Sequence, residues 1–161
     1  ILFRLVGSEM CIRDRFQQFN LLPYLSVIDN VTLPCQFSKI RKQQVTESQN
    51  SLQATAQELL LRLKLPQALM NKPVTELSIG QQQRVAAARA LIGQPKIIIA
   101  DEPTSALDHD NREAFIELLL EQANQAGSTL IFVSHDPTLE KLFTRTIDLK
   151  TVNQAKVVVW K

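Results

Sequence analysis

The chain has 161 residues, 45% of them hydrophobic and 21% charged, with a formal net charge of +2. That length and balance fit one folded domain and exclude a disordered chain. The small, scattered charge argues against a nucleic-acid surface, and no apolar run approaches the roughly 18 residues a membrane span needs.

Residues 1–6 are apolar but broken by Arg4, too short and poorly flanked for a secretory signal. Residues 6–15 fit neither a helix nor a strand period and resemble translated sequencing-adapter read-through. Residues 1–15 are therefore read as a non-native segment, with a divergent natural strand as the alternative. Cys11 and Cys35 form no metal-type cluster and read as two lone thiols, a single disulfide being the alternative.

From Phe16 onward the periodicities become regular. Residues 16–23 read as a strand end running into a loop punctuated by Pro23. Ser26 suits an N-cap for a short helix over 27–33, ended by Pro34. The polar stretch 38–50 is expected to be solvated, and Thr46 to open a longer helix. Leu52, Ala56, Leu59, Leu60 and Leu63 line the apolar face of that helix, and Pro66 ends it. Residues 24–76 thus read as a mainly helical insertion.

The second half alternates strand and helix. Ser78 precedes a helix-forming run to Leu91, broken at Gly93-Gln94-Pro95. Residues 97–100 form a short β-branched run suited to a strand buried on both faces. Residues 111–126 are amphipathic, with Phe115, Leu118 and Leu119 inward and Gly127 as the stop. Residues 129–133 read as a second buried strand. A short helix near 137–143 and two short strands near 146–149 and 156–160 complete the pattern. Strand–helix–strand order with apolar strands predicts a parallel sheet covered by helices. Ligands in such sheets lie beyond the carboxyl ends of the strands, here at Asp101-Glu102 and Ser134-His135.

Asp101 can hold a magnesium ion through water, and Glu102 can take a proton from an attacking water. Pro103 biases Glu102 toward an extended backbone. Taken alone, the pair also suits an acidic turn. Ser78, Gly80 and Gln81 open a helix whose first amides lack internal partners, which attracts phosphate or marks an ordinary Ser cap. His135 alone suits a structural role equally, and Gln17 alone says nothing.

Together these stretches are specific. Phe16-Gln17-Gln18-Phe19-Asn20-Leu21-Leu22-Pro23, Leu77-Ser78-Ile79-Gly80-Gln81-Gln82-Gln83-Arg84, the run from Ile97 through Asp101-Glu102-Pro103 to Asp108, and Ser134-His135-Asp136 resemble four ordered motifs of ABC-type ATPases. These are the glutamine loop, the signature, the Walker B strand with its D-loop, and the switch histidine. The resemblance covers about residues 16–149. The glutamine-loop wording resembles the branch serving lipoprotein release, macrolide export and antimicrobial-peptide export.

The resemblance implies an α/β fold with a P-loop NTPase-like parallel sheet flanked by helices. A helical subdomain would span about 24–93 and a sheet core about 94–161. It implies an ATP- and magnesium-dependent ATPase subunit powering a membrane transporter. Gln17 would touch magnesium and the attacking water, Asp101 would support magnesium, and Glu102 would be the general base. His135 would contact the terminal phosphate. Ser78, Gly80 and Gln81 would cover ATP held by an opposite subunit, and Asp108 would lie on the dimer seam. The implied partners are a second ATPase subunit, identical or not, and a transmembrane permease, with no nucleic acid. The implied location is cytoplasmic, peripheral on the inner face of the plasma membrane, with membrane contact only through the permease. The alternatives are a non-catalytic or regulatory ABC-type module and a soluble ABC ATPase outside transport.

The sequence departs from the family pattern twice. No Gly-x-x-x-x-Gly-Lys-[Ser/Thr] run occurs in the 161 residues, so the chain reads as an N-terminally truncated piece, expected to be inactive as written. Ile79 also stands where the family usually carries glycine. A β-branched residue resists positive φ, so the backbone there is expected to be an ordinary first helical turn, the alternative being a somewhat impaired site.

Overall fold

In the computed structural model the described residues are 19–47, 51–104, 107 and 109–152. The first half is helical. Helix α1 (Val27–Thr32) is capped by Ser26, whose Oγ accepts the Asp29 N–H. Asn30 is fully buried and bonds to Leu22, Leu25 and Ser26, which closes the preceding turn onto the helix. Helix α1 ends just before Pro34, as expected, and Pro34 then sits at the first position of α2 (Pro34–Phe37). Its missing N–H costs nothing at that position.

The polar stretch expected to be solvated is mostly exposed and forms helix α3 (Lys39–Glu47). It contains no Gly or Pro, and Arg41 and Val45, one turn apart, are both buried. Thr46 does not open the next helix. Its hydroxyl bonds back to the Lys42 and Gln43 carbonyls in the last turn of α3. The cap of α4 (Leu52–Arg62) is Ser51, which accepts the Ala54 N–H at 3.1 Å.

Helix α4 closes without glycine. Lys64 takes φ 59°, with Leu65 N–H bonding Leu60 O and Lys64 N–H bonding Leu61 O, the paired bonds of a Schellman stop. Two short 3-10 turns, Gln67–Leu69 and Val74–Glu76, lead to α5 (Ile79–Leu91). Helices α1 and α4 pack on α5 around Val27, Val31, Leu60, Leu63, Val85 and Leu91, all essentially sealed from solvent.

Strands β1 (Ile97–Asp101) and β2 (Thr129–Val133) pair in parallel, with Ile99 opposite Ile131 and Asp101 opposite Val133. Helix α6 (His109–Gln125) connects them and buries Phe115, Ile116, Leu118 and Leu119, as the amphipathic pattern predicts. Gly127, at φ 64°, ends it through bonds from Gly127 N–H and Ser128 N–H to Asn124 and Ala123.

The strands are not buried on both faces. Ile98 is covered, whereas Ile99, Ile131 and Val133 are exposed. Alternation puts these three on the side away from α6, where no described element packs. The strand expected at 146–149 is not one. That segment is irregular and leads into α7 (Leu149–Val152), whose Leu149 and Val152 are exposed together with Ile147. Among the described residues its β-branched residues find no neighbouring strand to pair with. The strand expected at 156–160 and the segment 1–15, Cys11 included, lie outside the described residues. Cys35 is a buried free thiol, and burial pushes its pKa up. No described helix is long and apolar enough to cross a membrane.

Candidate functional site

The carboxyl ends of the two strands carry the chemistry. Asp101 is the last residue of β1, with its side chain exposed. The next amide, Glu102 N–H, bonds Val133 O at 2.9 Å and carries the ladder one residue further. Pro103 does not hold Glu102 extended as expected. Glu102 has φ 49°, in the left-handed region. A non-glycine residue there stores about 1–3 kcal/mol, held by the paired strand below it and the contacts above. The turn that follows strand pairing overrides the local preference set by proline.

That conformation brings Glu102 Oε1 to 2.7 Å from His135 Nδ1. The histidine side chain is 85% exposed and Glu102 35% exposed, so the pair meets at the surface above the strand tips. The loop under His135 is tightly bonded. Asp136 N–H donates to Ser134 Oγ, and Asp136 Oδ1 accepts from both the Thr138 N–H and the Thr138 hydroxyl. Its Oδ2 lies 2.6 Å from Arg112 Nη1. The Thr138 hydroxyl, then the Thr138 N–H, and to a smaller extent Arg112, hold the Asp136 carboxyl below its usual range.

Ser78 caps α5 in a full capping box: its Oγ accepts the Gln81 N–H while Gln81 Oε1 accepts the Ser78 N–H. The two amides between them, of Ile79 and Gly80, have no acceptor within the helix and point to its positive end. Ile79 is the first helical residue, 56% exposed and absent from the positive-φ positions, so the first turn is ordinary, as expected from sequence. One turn on, Gln83 is almost wholly buried and its Nε2 donates to Pro103 O, directly after Glu102. Gly80 faces Leu107, whose Cδ2 would lie 3.6 Å from a Cβ placed there.

Of the residues singled out in the sequence, Asp101, Glu102 and His135 come together, and Ser78, Gly80 and Gln81 form one helix end. Gln17 and Asp108 lie outside the described residues. Sequence reasoning passes over Gln83, Arg112 and Asp136. Gln83 is one of three successive glutamines, distinguished only by its helical phase. Arg112 and Asp136 pair across 24 positions with no local signature.

The donor set suits a triphosphate with magnesium. Mg²⁺ keeps several waters and needs only one or two carboxylates besides phosphate oxygens, and Asp101 supplies one such exposed carboxylate. The unpaired amides at the start of α5 suit an anion arriving from outside the chain.

Residues 9–105 match the family profile described as ABC transporter. Over 135 residues, 84% of this chain, the sequence is 41% identical to the lipoprotein-releasing system ATP-binding protein LolD of Shewanella sp. (strain MR-4), covering 55% of it. It is 43% identical to the macrolide export ATP-binding/permease protein MacB of Mannheimia succiniciproducens, over 84% of this chain and 20% of that protein. The dimeric ATP-binding cassette MJ0796, solved in a post-hydrolysis state bound to ADP and Pi, superposes with a TM-score of 0.60 at 37% identity. That superposition covers 77% of this chain and 52% of the cassette. The chain spans about half the length of the first curated relatives it matches.

Proposed function

The chain belongs to the ABC transporter family of ATP-binding proteins, and from that premise we propose that it forms part of a subunit that hydrolyses ATP to drive a membrane transporter. One observation carries the reading. A carboxylate and an imidazole, Glu102 and His135, meet at 2.7 Å above the carboxyl ends of two paired parallel strands, beside the exposed carboxylate of Asp101.

In this reading Glu102 accepts a proton from the water that attacks the terminal phosphate. His135 leaves Glu102 to contact that phosphate, and its exposure gives it room to do so. Asp101 supports magnesium through water, and Gln17 touches the same ion. When bound, magnesium neutralises charge on the transferring phosphoryl group. Positioning and charge stabilisation dominate such transfers, and removing a general base commonly costs about two to four decades of rate.

Ser78, Gly80 and Gln81 would serve a different nucleotide, held by a second subunit, with Asp108 on the seam between them. The helix amides of Ile79 and Gly80 open outward from the chain, which supports an anion brought by a partner. The transmembrane partner would be a permease, through which the protein would sit on the cytoplasmic face of the membrane. The likeness to LolD and MacB supports a place in the lipoprotein-release and macrolide-export branch. Residues 24–93 would act as the helical subdomain and 94–161 as the sheet core. A non-catalytic module would have no chemical use for the Glu102–His135 pair.

The 161 residues contain no phosphate loop of the Gly-x-x-x-x-Gly-Lys-[Ser/Thr] kind, so turnover is assigned to the polypeptide completed with one. Completed in this way and mixed with ATP and Mg²⁺, it should pair and release inorganic phosphate. The 161-residue chain alone should release none. Pairing without phosphate release in the completed protein would remove the catalytic reading. Robust magnesium-dependent turnover by the short chain would remove the assignment to the longer one.

A further inference from the structure

His135 is 85% exposed and, among the described residues, its side chain bonds Glu102 alone, so its own packing does not orient it. What holds it must come from the residues on either side. Asp136 is the next residue, and both its carboxylate oxygens are engaged: Oδ1 by Thr138, Oδ2 by Arg112. Arg112 lies in the first turn of α6, four positions after Asp108 in the sequence. Its second terminal nitrogen, Nη2, donates to Leu107 O at 3.4 Å. One guanidinium therefore joins the residue after His135 to the residue before Asp108.

We propose that Arg112 is the positioning residue for His135, tying the switch-histidine loop to the seam loop so that the two move together. The proposal rests on the functional reading above for the meaning of the two loops, though the tether itself is independent of it. A planar five-donor fork suits this task, because it spans two acceptors at a fixed angle, which an ammonium on a flexible stem does not. Stability alone is a poor explanation for the pair. The side chains are 25% and 19% exposed, and Arg112 Nε is buried with no partner among the described residues. Ion pairs that leave a donor unsatisfied contribute little to folding, and an apolar side chain of similar length commonly replaces them without loss. A second link, Lys141 to Glu113 at 2.8 Å, joins the same two segments but is more exposed.

Two measurements test this. Amide hydrogen exchange in the 161-residue chain needs no nucleotide. Arg112→Gln should quicken exchange about 10-fold at Leu107 and at residues 136–139 together, with the rest of α6 unchanged. Arg112→Lys should restore protection at 136–139 but not at Leu107. Unchanged exchange at both segments in Arg112→Gln would overturn the tether. In the completed cassette, Arg112→Met and Asp136→Asn should each lower kcat about 10-fold with KM for ATP within about twofold, and the double variant should fall no further. Asp136→Asn keeps an oxygen for Thr138 and so leaves that turn capped. Assays run well below the thermal midpoint of every variant, with KM for ATP held, separate positioning from folding. Full kcat in both single variants of an active cassette would overturn the positioning role. A wild-type cassette with no phosphate release would strike the functional reading alone, leaving the exchange experiment to decide the tether.

Discussion

Gly93 gives the sharpest test of how the first half is held to the second. It has φ 73°, and a Cβ built on it would lie 2.7 Å from Arg41 Cβ and 2.9 Å from Arg41 Cα. Those atoms belong to the body of α3, not to the flexible end of a side chain, so they do not yield cheaply. Arg41 is also fixed from its other end, where Nη1 reaches the Ile92 carbonyl at 3.2 Å and closes the carboxyl end of α5. Replacing Gly93 by Ala adds two costs. Positive φ in an L residue costs about 1–2 kcal/mol, and forcing a methyl into closed packing adds roughly 1–3 kcal/mol. The sum is about 2–5 kcal/mol, a large part of the stability of an ordinary domain. Gly127 supplies the control. Its φ is 64°, but a Cβ there meets nothing within 4 Å, so Gly127→Ala carries the conformational cost alone. Urea and thermal denaturation of both variants in the 161-residue chain would separate the two. Gly127→Ala should lower the midpoint by about 2–8 °C, and Gly93→Ala by about 4–20 °C, at roughly 2–4 °C per kcal/mol for this size. Equal losses within about 0.5 kcal/mol would refute the argument that α3 closes on the end of α5 at that point.

In the completed cassette, Glu102→Gln should cut ATP turnover by about two to four decades while nucleotide-driven pairing persists, read by phosphate release and by sedimentation. Wild-type turnover would remove Glu102 as the base. Ile79→Gly should change turnover by less than about threefold, because Ile79 occupies an ordinary first helical turn with its side chain out; a large gain would show that the isoleucine obstructs the phosphate. For Asp136 the sign follows from a carboxyl held below its ordinary value of 3.8. Its stabilising contribution is complete above that value and disappears as the pH falls through the lowered one. The difference in thermal midpoint between the wild type and Asp136→Asn should therefore hold steady near neutrality and shrink as the pH is taken below 3.8; a difference independent of pH would contradict it.

The sequence legible as helix and strand was that with strong punctuation. Ser26 and Ser78 cap where expected, Gly127 stops α6, and the two β-branched runs pair in parallel. Elsewhere local composition did not report what lies nearby in space. Residues 39–47 are mostly exposed, as their polarity suggests, while Arg41 is drawn inward by the open carbonyls at the end of α5. Pro34 marks the end of α1 as expected and also starts α2, because the chain turns into a second helix at that residue. Proline at 103 should hold Glu102 extended, yet the bond from its N–H to Val133 and the contact with His135 carry it to positive φ. The expected two-sided burial of the strands failed because apolar residues alone do not say which faces receive a covering element.

Helix α5 explains why the site residues keep their relation although they lie on separate elements. It is a single 13-residue helix, about 20 Å long at 1.5 Å per residue. Its own polar side chains reach out to the backbone of three other segments. Gln83 bonds the Pro103 carbonyl beside the proposed base, Arg84 bonds the Leu63 carbonyl at the end of α4, and Arg89 bonds the Phe19 and Asn20 carbonyls within the glutamine-loop stretch. Arg41 closes its carboxyl end from α3. A helix fixed at its start, middle and end by side-chain-to-backbone bonds cannot bend locally without breaking several of them. Gln83 therefore ties the helix that begins at Ser78 directly to the loop that carries Glu102. The link needs no chain of repacked side chains between the two, because Gln83 spans it in one step.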